Sequence, residues 1–211
     1  FINNKATADY IYGGAICMTS GSVTNCNFVN NAATGKDSWG GAIVMCYGSV
    51  SNCNFTANQA TIGGAVYFTG TGDVRNCNFT DNNATYGGAV YFTGTGTAIN
   101  CNFTNNKATG TGNYDGGGAV YLQGTGSLTN CNFVDNTASR DGGAIRFSGS
   151  GNVSNCNFTD NRASDEGGAV YFFNNGNVSN CNFNNNSAYS LGGAIRCDYL
   201  ATIENCNFTD N

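Results

Sequence analysis

The sequence predicts an all-β protein, a right-handed single-stranded parallel β-helix of about eight coils with three short strands in each coil. Gly-Gly-Ala-(Ile/Val) recurs eight times in the 211 residues, and Asn-Cys-Asn-Phe follows each copy at a nearly fixed distance. A period of 23 to 30 residues that leaves no segment without the motif is typical of a solenoid. The Gly-Gly pairs begin at Gly13, Gly40, Gly63, Gly87, Gly117, Gly142, Gly167 and Gly192.

The first strand of each coil follows Gly-Gly-Ala. It opens with Ile or Val, and its third residue is apolar in every copy, as in Val90 and Phe92. The residue between them varies and includes arginine, so the side chains alternate between the core and the outside with the period of a β-strand. This outward position, the outer column, holds Cys17, Val44, Tyr67, Tyr91, Tyr121, Arg146, Tyr171 and Arg196.

The second strand carries one inward aliphatic residue, such as Val74, and we assign Ile99 to this position in the fourth coil. It ends at an asparagine in all eight copies, from Asn25 to Asn205, and asparagine tolerates the left-handed conformation of a sharp bend. The third strand is Cys-Asn-Phe, with Cys and Phe inward. Because consecutive parallel strands are joined in a right-handed sense, we expect a right-handed coil.

Insertions collect in one connection. Each Gly-Gly lies 13 or 14 residues before its cysteine, whereas the cysteine lies 10 to 16 residues before the next Gly-Gly. This connection is therefore a surface loop, longest at residues 35–39 and 109–116. Residues 1–211 are predicted to form one continuous array. Because the first and last residues fall within a repeat, we expect a fragment of a longer chain whose ends can associate into a filament.

Composition excludes several partners. The chain has a net charge of −5, with eight Lys and Arg residues scattered along it, which disfavours nucleic acid binding. It has no apolar run of the length of a membrane span. It lacks histidine and Cys-x-x-Cys, so we expect neither a metal site nor a cofactor.

Eight of the eleven cysteines share one inward column. Stacked side chains lie about 4.8 Å apart, which exceeds the roughly 3.8 Å between the Cβ atoms of a disulfide. We therefore expect buried thiols that pack as small apolar groups. Cys17 and Cys46 point outward on adjacent coils and are the candidate disulfide, while Cys197 takes the inward place of a phenylalanine.

The outer column is also the candidate ligand site. Tyr67, Tyr91, Tyr121, Arg146, Tyr171 and Arg196 are expected to form an exposed strip, overhung by loops that carry Trp39 and Tyr114. Exposed aromatic and arginine side chains suit a glycan or a protein partner. The alternative is a tyrosine ladder that only stiffens the sheet.

Other functions have weaker support. Polysaccharide cleavage needs paired carboxylates in one cleft. The outer column offers no such pair, so we expect no enzyme activity. The alternative is a pectin-lyase-like enzyme or its inactive carbohydrate-binding relative. A threonine patch that would suit ice binding is interrupted at Gln123 and Ser148. Asn152 and Asn177, placed in turns, are the candidate glycosylation sites.

The repeat resembles that of known surface proteins. Phe79-Thr80-Asp81-Asn82 followed by Gly87-Gly88-Ala89-Val90 is similar to the repeat of the polymorphic outer-membrane proteins of chlamydiae. The Asn-rich, Cys-containing pattern resembles the adhesin-like surface proteins of methanogenic archaea. The resemblance covers all 211 residues. It implies an extracellular or cell-surface β-helical stalk or adhesin region, with a glycan or protein on a host or neighbouring cell as its partner, and no catalytic residues.

Overall fold

The chain folds as a parallel β-helix. The computed structural model describes residues 1–211 and contains 31 strands and no helix. Every strand pair is parallel. Each strand pairs with the equivalent strand of the next coil, so the same repeat position recurs at one strand spacing along the axis. The predicted fold class is confirmed.

The first and second strands share one 14-stranded sheet, because they are continuous in the first two coils. The two continuous strands are Ile16–Thr24 and Ile43–Ser51. The other first strands are Val66–Phe68, Val90–Phe92, Val120–Leu122, Ile145–Phe147, Val170–Phe172 and Ile195–Cys197. The other second strands are Gly72–Arg75, Gly96–Ile99, Gly126–Thr129, Gly151–Ser154, Gly176–Ser179 and Ala201–Glu204.

The third strands form a separate eight-stranded sheet. They are Asn27–Val29, Asn54–Thr56, Asn78–Thr80, Asn102–Thr104, Asn132–Val134, Asn157–Thr159, Asn182–Asn184 and Asn207–Thr209. Their phenylalanines form one inward column. The ring of Phe1 continues this column, so nine rings stack from Phe1 to Phe208, with neighbouring centroids 4.7 to 4.9 Å apart.

A short fourth strand, absent from the sequence prediction, closes most coils. It is Asn83–Ala84, Lys107–Ala108, Thr137–Ala138, Arg162–Ala163 and Ser187–Ala188. Near the N-terminus, Lys5–Thr7 pairs with Ala32–Thr34, and Tyr10–Tyr12 pairs with Asp37–Trp39. The recurring alanine that ends each of these two-residue strands, such as Ala108, marks their place in the sequence, but two paired residues are too few to show the alternation of a strand.

The Gly-Gly pair has two separate structural causes. The first glycine has left-handed backbone, with φ of 59° at Gly87. A Cβ on the second would clash with the next coil, since at Gly88 it would lie 2.0 Å from the carbonyl oxygen of Gly118. Any larger residue at either position would therefore strain the turn or separate the coils.

Ile99 does not occupy the inward position assigned to it. The register pairs Val74 with Ala98 and Arg75 with Ile99, and Ala98 is the buried residue. Ile99 is half-buried on the other face of the strand. The fourth coil therefore places a small side chain between larger neighbours in this core column.

Asparagine or aspartate occupies both sharp bends of each coil, except that Ala57 takes the second bend of the second coil. The asparagines that end the second strand have φ of 52° to 55°, which confirms their predicted left-handed conformation. The same conformation recurs after the third strand, where φ is 54° to 58° at Asp81, Asp135, Asp160 and Asp210. These acids are turn residues, because short polar side chains tolerate this backbone.

A second set of asparagines is buried. These residues, the inner asparagine ladder, are Asn31, Asn58, Asn82, Asn106, Asn136, Asn161 and Asn186. Asn106 donates from its side-chain nitrogen to the Phe79 carbonyl (3.0 Å) and to the Asn136 Oδ1 (3.0 Å). Its Oδ1 accepts from the backbone and side-chain nitrogens of Asn82. Every polar atom of this amide is thus paired without water.

We expect Asn106→Ala to lower the free energy of unfolding by about 3 to 5 kcal/mol, because it leaves several buried groups unpaired at about 1 to 3 kcal/mol each. Urea denaturation measures this loss. The control is Asn102→Ala. Asn102 lies on the third strand and belongs to an exposed row of hydrogen-bonded asparagines, where water can replace the lost bonds. The free energy of unfolding of this variant should fall by about 1 kcal/mol or less. Equal losses would show that the inner ladder has no special role.

Candidate functional site

The outer column does not form the predicted exposed strip. Its side chains lie outside the main core, but Tyr91, Tyr121, Arg146 and Tyr171 are only 9%, 4%, 1% and 6% exposed. The covering residues come from the connection before each Gly-Gly, which stacks in register through bridges such as Tyr86 to Gly116. The expected exposure was wrong because this connection folds back over the sheet.

From Tyr67 to Tyr171 the outer column is a continuous stack, which Trp39 of the covering connection extends. Trp39, Tyr67 and Tyr91 follow one another with ring centroids 6.4 and 5.5 Å apart, and Tyr91 stacks on Tyr121 at 4.7 Å. The guanidinium of Arg146 continues the stack, lying 5.6 Å from the Tyr121 ring and 4.9 Å from the Tyr171 ring. A cation between two aromatic rings is stabilised by their negative faces.

The tyrosine hydroxyls are paired with the following coil. Tyr91 donates to the Gln123 Oε1 at 3.2 Å, and Tyr171 donates to the Asp198 Oδ2 at 2.7 Å. The Tyr121 hydroxyl bonds with the Ser148 hydroxyl at 2.7 Å. Because each partner lies two residues beyond the outer column of the next coil, the buried rings keep their hydroxyls satisfied.

Arg146 is a buried charge with a specific partner. Its Nη1 donates to the Asp141 Oδ2 at 2.6 Å and to the Asp115 carbonyl at 2.8 Å. Burial raises the pKa of Asp141 to about 6, and the attraction of Arg146 opposes that rise. Two other arginines in or beside the outer column also form ion pairs. Arg140 contacts Asp165 at 2.9 Å, and Arg196 contacts Glu166 at 3.1 Å.

An aromatic cleft opens beside this stack. Its volume is about 390 Å³, and it is lined by Tyr86, Tyr91, Tyr114, Tyr121, Gln123, Ser148 and Phe173. Tyr91 and Tyr121 form the buried floor, while Tyr114 and Phe173 are 68% and 36% exposed. None of the lining side chains is charged. The faces of the Tyr91 and Tyr121 rings are occupied by the stack, so the aromatic surface that the cleft offers comes from Tyr86, Tyr114 and Phe173, with hydroxyl and amide groups beside it.

The loop of residues 109–116 forms one wall of the aromatic cleft. The Gly112 amide donates to the Asp115 Oδ2 at 2.6 Å, and the Asp115 amide donates back to the Gly112 carbonyl at 2.9 Å. The Tyr121 hydroxyl also donates to the Tyr114 carbonyl at 3.1 Å. These bonds fix the backbone of Tyr114 while its ring remains in solvent.

Comparison with known proteins identifies the family. The sequence model of the right-handed β-helix region matches residues 64–211, more than two thirds of the chain. The chain belongs to the right-handed β-helix family. No curated protein matches the chain significantly, and neither does any solved structure. Family membership establishes the fold, while function depends on the side chains of the site.

This β-helix brings only part of the predicted strip into the aromatic cleft. Tyr91, Tyr121 and Tyr114 line it, whereas Tyr67, Trp39, Arg146, Tyr171 and Arg196 do not. Sequence reasoning missed Tyr86, Gln123, Ser148 and Phe173. The sequence contained two indications of them. Tyr86 stands directly before its Gly-Gly pair, as Trp39 does. Gln123, Ser148 and Phe173 each lie two residues after an outer-column residue, so the alternation of the strand places them on the same outward face.

Cys17 and Cys46 are free thiols in the β-helix. The register pairs Cys17 with Val44, so Cys46 lies diagonally, two residues further on. Diagonal neighbours are about 7 to 8 Å apart, beyond the usual 4.4 to about 6.8 Å between the Cα atoms of a disulfide. The register therefore excludes this candidate disulfide.

The glycosylation candidates lie in strands rather than turns. Asn152 belongs to Gly151–Ser154 and Asn177 to Gly176–Ser179. Both are exposed, and the side-chain nitrogen of Asn177 donates to the Asn152 Oδ1 at 2.9 Å. Their placement in turns was wrong because the bend precedes Gly151 and Gly176.

The repeated cysteines are buried free thiols that also accept hydrogen bonds. The backbone amides of Cys101 and Cys131 each donate to the sulfur of the next cysteine at 3.4 Å. The pKa of Cys77 is raised to about 12, mainly by its hydrogen bond with the Cys101 thiol and secondly by burial. Cys197 packs in register with Phe172 against the core, as predicted.

Two further observations concern ligands and membranes. No group of three or more His, Cys, Asp or Glu side chains is placed to hold a metal ion. The structure also contains no helix that is both long and apolar enough to cross a membrane.

We expect Arg146→Tyr to lower the free energy of unfolding by about 3 to 5 kcal/mol at pH 7, because the buried Asp141 loses its hydrogen-bonded cation and keeps only Arg140, at 3.8 Å. Adding Asp141→Asn should recover much of this loss, since the poorly compensated charge is then removed. Urea denaturation of the two variants measures the difference. If the double variant is no more stable than the single, the ion pair is not the cause.

The difference in stability between Arg146→Tyr and the double variant should depend on pH. Because the folded-state pKa of Asp141 lies above its unfolded value, protonation favours the folded state. The stability of Arg146→Tyr relative to the double variant should therefore rise as the pH falls from 7 towards 4. Urea denaturation at each pH tests this, and a difference that does not change with pH would contradict the assignment.

We expect iodoacetamide at pH 8 to modify the exposed Cys17 in the folded protein and to leave Cys77 and Cys101 unmodified, because the thiolate is the reactive form. Mass spectrometry of peptides measures the labelling. In urea, all eleven cysteines should react. Equal labelling rates for Cys17 and Cys101 in the folded protein would contradict their assigned burial.

Proposed function

We propose that this β-helix is a structural and adhesive part of an extracellular or cell-surface protein, and that it binds glycans in the aromatic cleft. The cleft itself is the observation that carries the proposal. Its volume of about 390 Å³ lies within the usual range of small-ligand sites. Sugar rings present C–H groups to aromatic surfaces and hydroxyls to polar groups, and Tyr86, Tyr114 and Phe173 supply the first while Gln123 and Ser148 supply the second.

The stacked architecture supports a structural role. Each coil gains its stability from its neighbours, and the ladders of Phe and Asn continue through the whole array. The result is a rod whose surface positions are fixed relative to one another. A rigid rod presents a binding site at a distance from its attachment, which suits a stalk or an adhesin.

The charges around the aromatic cleft favour binding over cleavage. Glycoside cleavage requires two carboxylates placed about the scissile bond. The acids of this face are instead engaged, Asp141 with Arg146, Asp165 with Arg140, and Glu166 with Arg196. We therefore propose that bound glycans are retained without reaction.

We expect Tyr86→Ala with Tyr114→Ala to weaken glycan binding by about tenfold or more, because each lost ring removes about 0.5 to 1.5 kcal/mol of stacking beyond its buried area. A glycan array finds the ligand, and calorimetry measures its affinity. Tyr189→Ala is the matched control, since this tyrosine is 89% exposed and lies outside the cleft.

Three outcomes would oppose the proposal. Glycan binding that survives the double variant would place the site elsewhere, and an array without any bound glycan would remove it. Release of new reducing ends from a bound polysaccharide would show that the site is catalytic.

A further inference from the structure

A second cavity lies on the other side of the turn that borders the aromatic cleft. This cavity, the polar groove, has a volume of about 490 Å³ and is lined without a single hydrophobic residue. It crosses four successive coils. Its side chains are hydroxyls and amides, and none carries a charge.

The polar groove is built from two parallel rows. The turn before the second strand contributes Thr95, Thr125 and Ser150, and the second strand contributes Ser127 and Asn152. The strands pair Ser127 with Asn152 in register, so each row repeats at about 4.8 Å along the axis. A ligand lying along the axis would meet equivalent groups at each coil.

The hydroxyls of the polar groove have unused hydrogen-bonding capacity. Of its five hydroxyls, those of Thr95, Thr125, Ser127 and Ser150 make no hydrogen bond to another protein group, whereas the Thr97 hydroxyl donates to the Asp73 Oδ1. The hydroxyls of Thr129 and Ser154, two residues further along the same strands, are by contrast bonded to each other at 3.1 Å. The four free hydroxyls can therefore both donate to and accept from a ligand.

The two cavities share one turn. Gln123 and Ser148 line the aromatic cleft, and two residues later Thr125 and Ser150 line the polar groove. The two residues of this turn span at most about 7 Å, so the two linings are neighbours. A linear ligand that stacks in the cleft can thus cross the turn and continue into the groove.

We propose that the polar groove is a second carbohydrate subsite, which takes the continuation of a neutral glycan chain held in the aromatic cleft. This inference rests on the proposed function. Sugar hydroxyls need partners that both donate and accept, which these side chains supply. Neither cavity offers a cation to a uronate, because the arginines of the neighbouring face are already paired with acids.

Calorimetry with neutral cello-, manno- and chito-oligosaccharides of two and six units tests the subsite. In the unaltered protein, the six-unit form of the sugar that binds should have the higher affinity. Thr125→Val with Ser150→Ala should lower that affinity about tenfold, because each lost hydrogen bond is modest. The affinity for the two-unit form should not change. Thr129→Val, which lies outside the groove, is the matched control.

The outcomes separate the two proposals. Equal affinities for two and six units, or no effect of the double variant, would overturn the subsite while leaving the aromatic cleft as the binding site. Tighter binding of a six-unit galacturonate than of the neutral chains would overturn the preference for neutral sugars. Failure of every two-unit and six-unit sugar to bind would reject this inference, and it would reject the proposed function as well if the glycan array also retains no glycan.

Discussion

Strict register between coils is the constraint on which this structure depends. A buried amide in the inner asparagine ladder is satisfied only when the next coil places an identical amide directly beyond it, as Asn136 does for Asn106. A coil of different cross-section would leave those groups unpaired in the core. The Gly-Gly pair serves the same constraint, since Gly88 lets two backbones approach closely.

Register also explains the surface chemistry. Because equivalent residues recur at one strand spacing, aromatic rings in the outer column stack, and a tyrosine hydroxyl reaches a partner on the next coil. Arg146 fits into this stack because its neighbours are ring faces and because Asp141 arrives from the covering connection. A charge without that partner would be costly at this depth.

The candidate site forms where the repeat is interrupted. The insertion at residues 109–116 raises Tyr114 beside the stack and creates a wall that shorter connections do not supply. The polar groove lies beyond the neighbouring turn, where the repeat is regular and its hydroxyls form rows. The proposed site thus combines an irregular wall, which encloses the aromatic cleft, with a periodic row of hydroxyls that matches the repeating units of a glycan chain.

The sequence by itself determined the β-helix, its eight repeats, the inward Phe and Cys columns and the left-handed asparagines, because each is a local or periodic property visible in every copy. It predicted Tyr91, Tyr121 and Tyr114 but neither Tyr86 nor the boundary of the aromatic cleft. Alternation along a strand tells which face a side chain takes, not what covers that face. The asparagine that recurs in every copy also indicates hydrogen bonds between stacked amides. The burial of Arg146, the burial of the inner asparagine ladder and the two cavities were decided by the tertiary path of the variable connections and by contacts between coils.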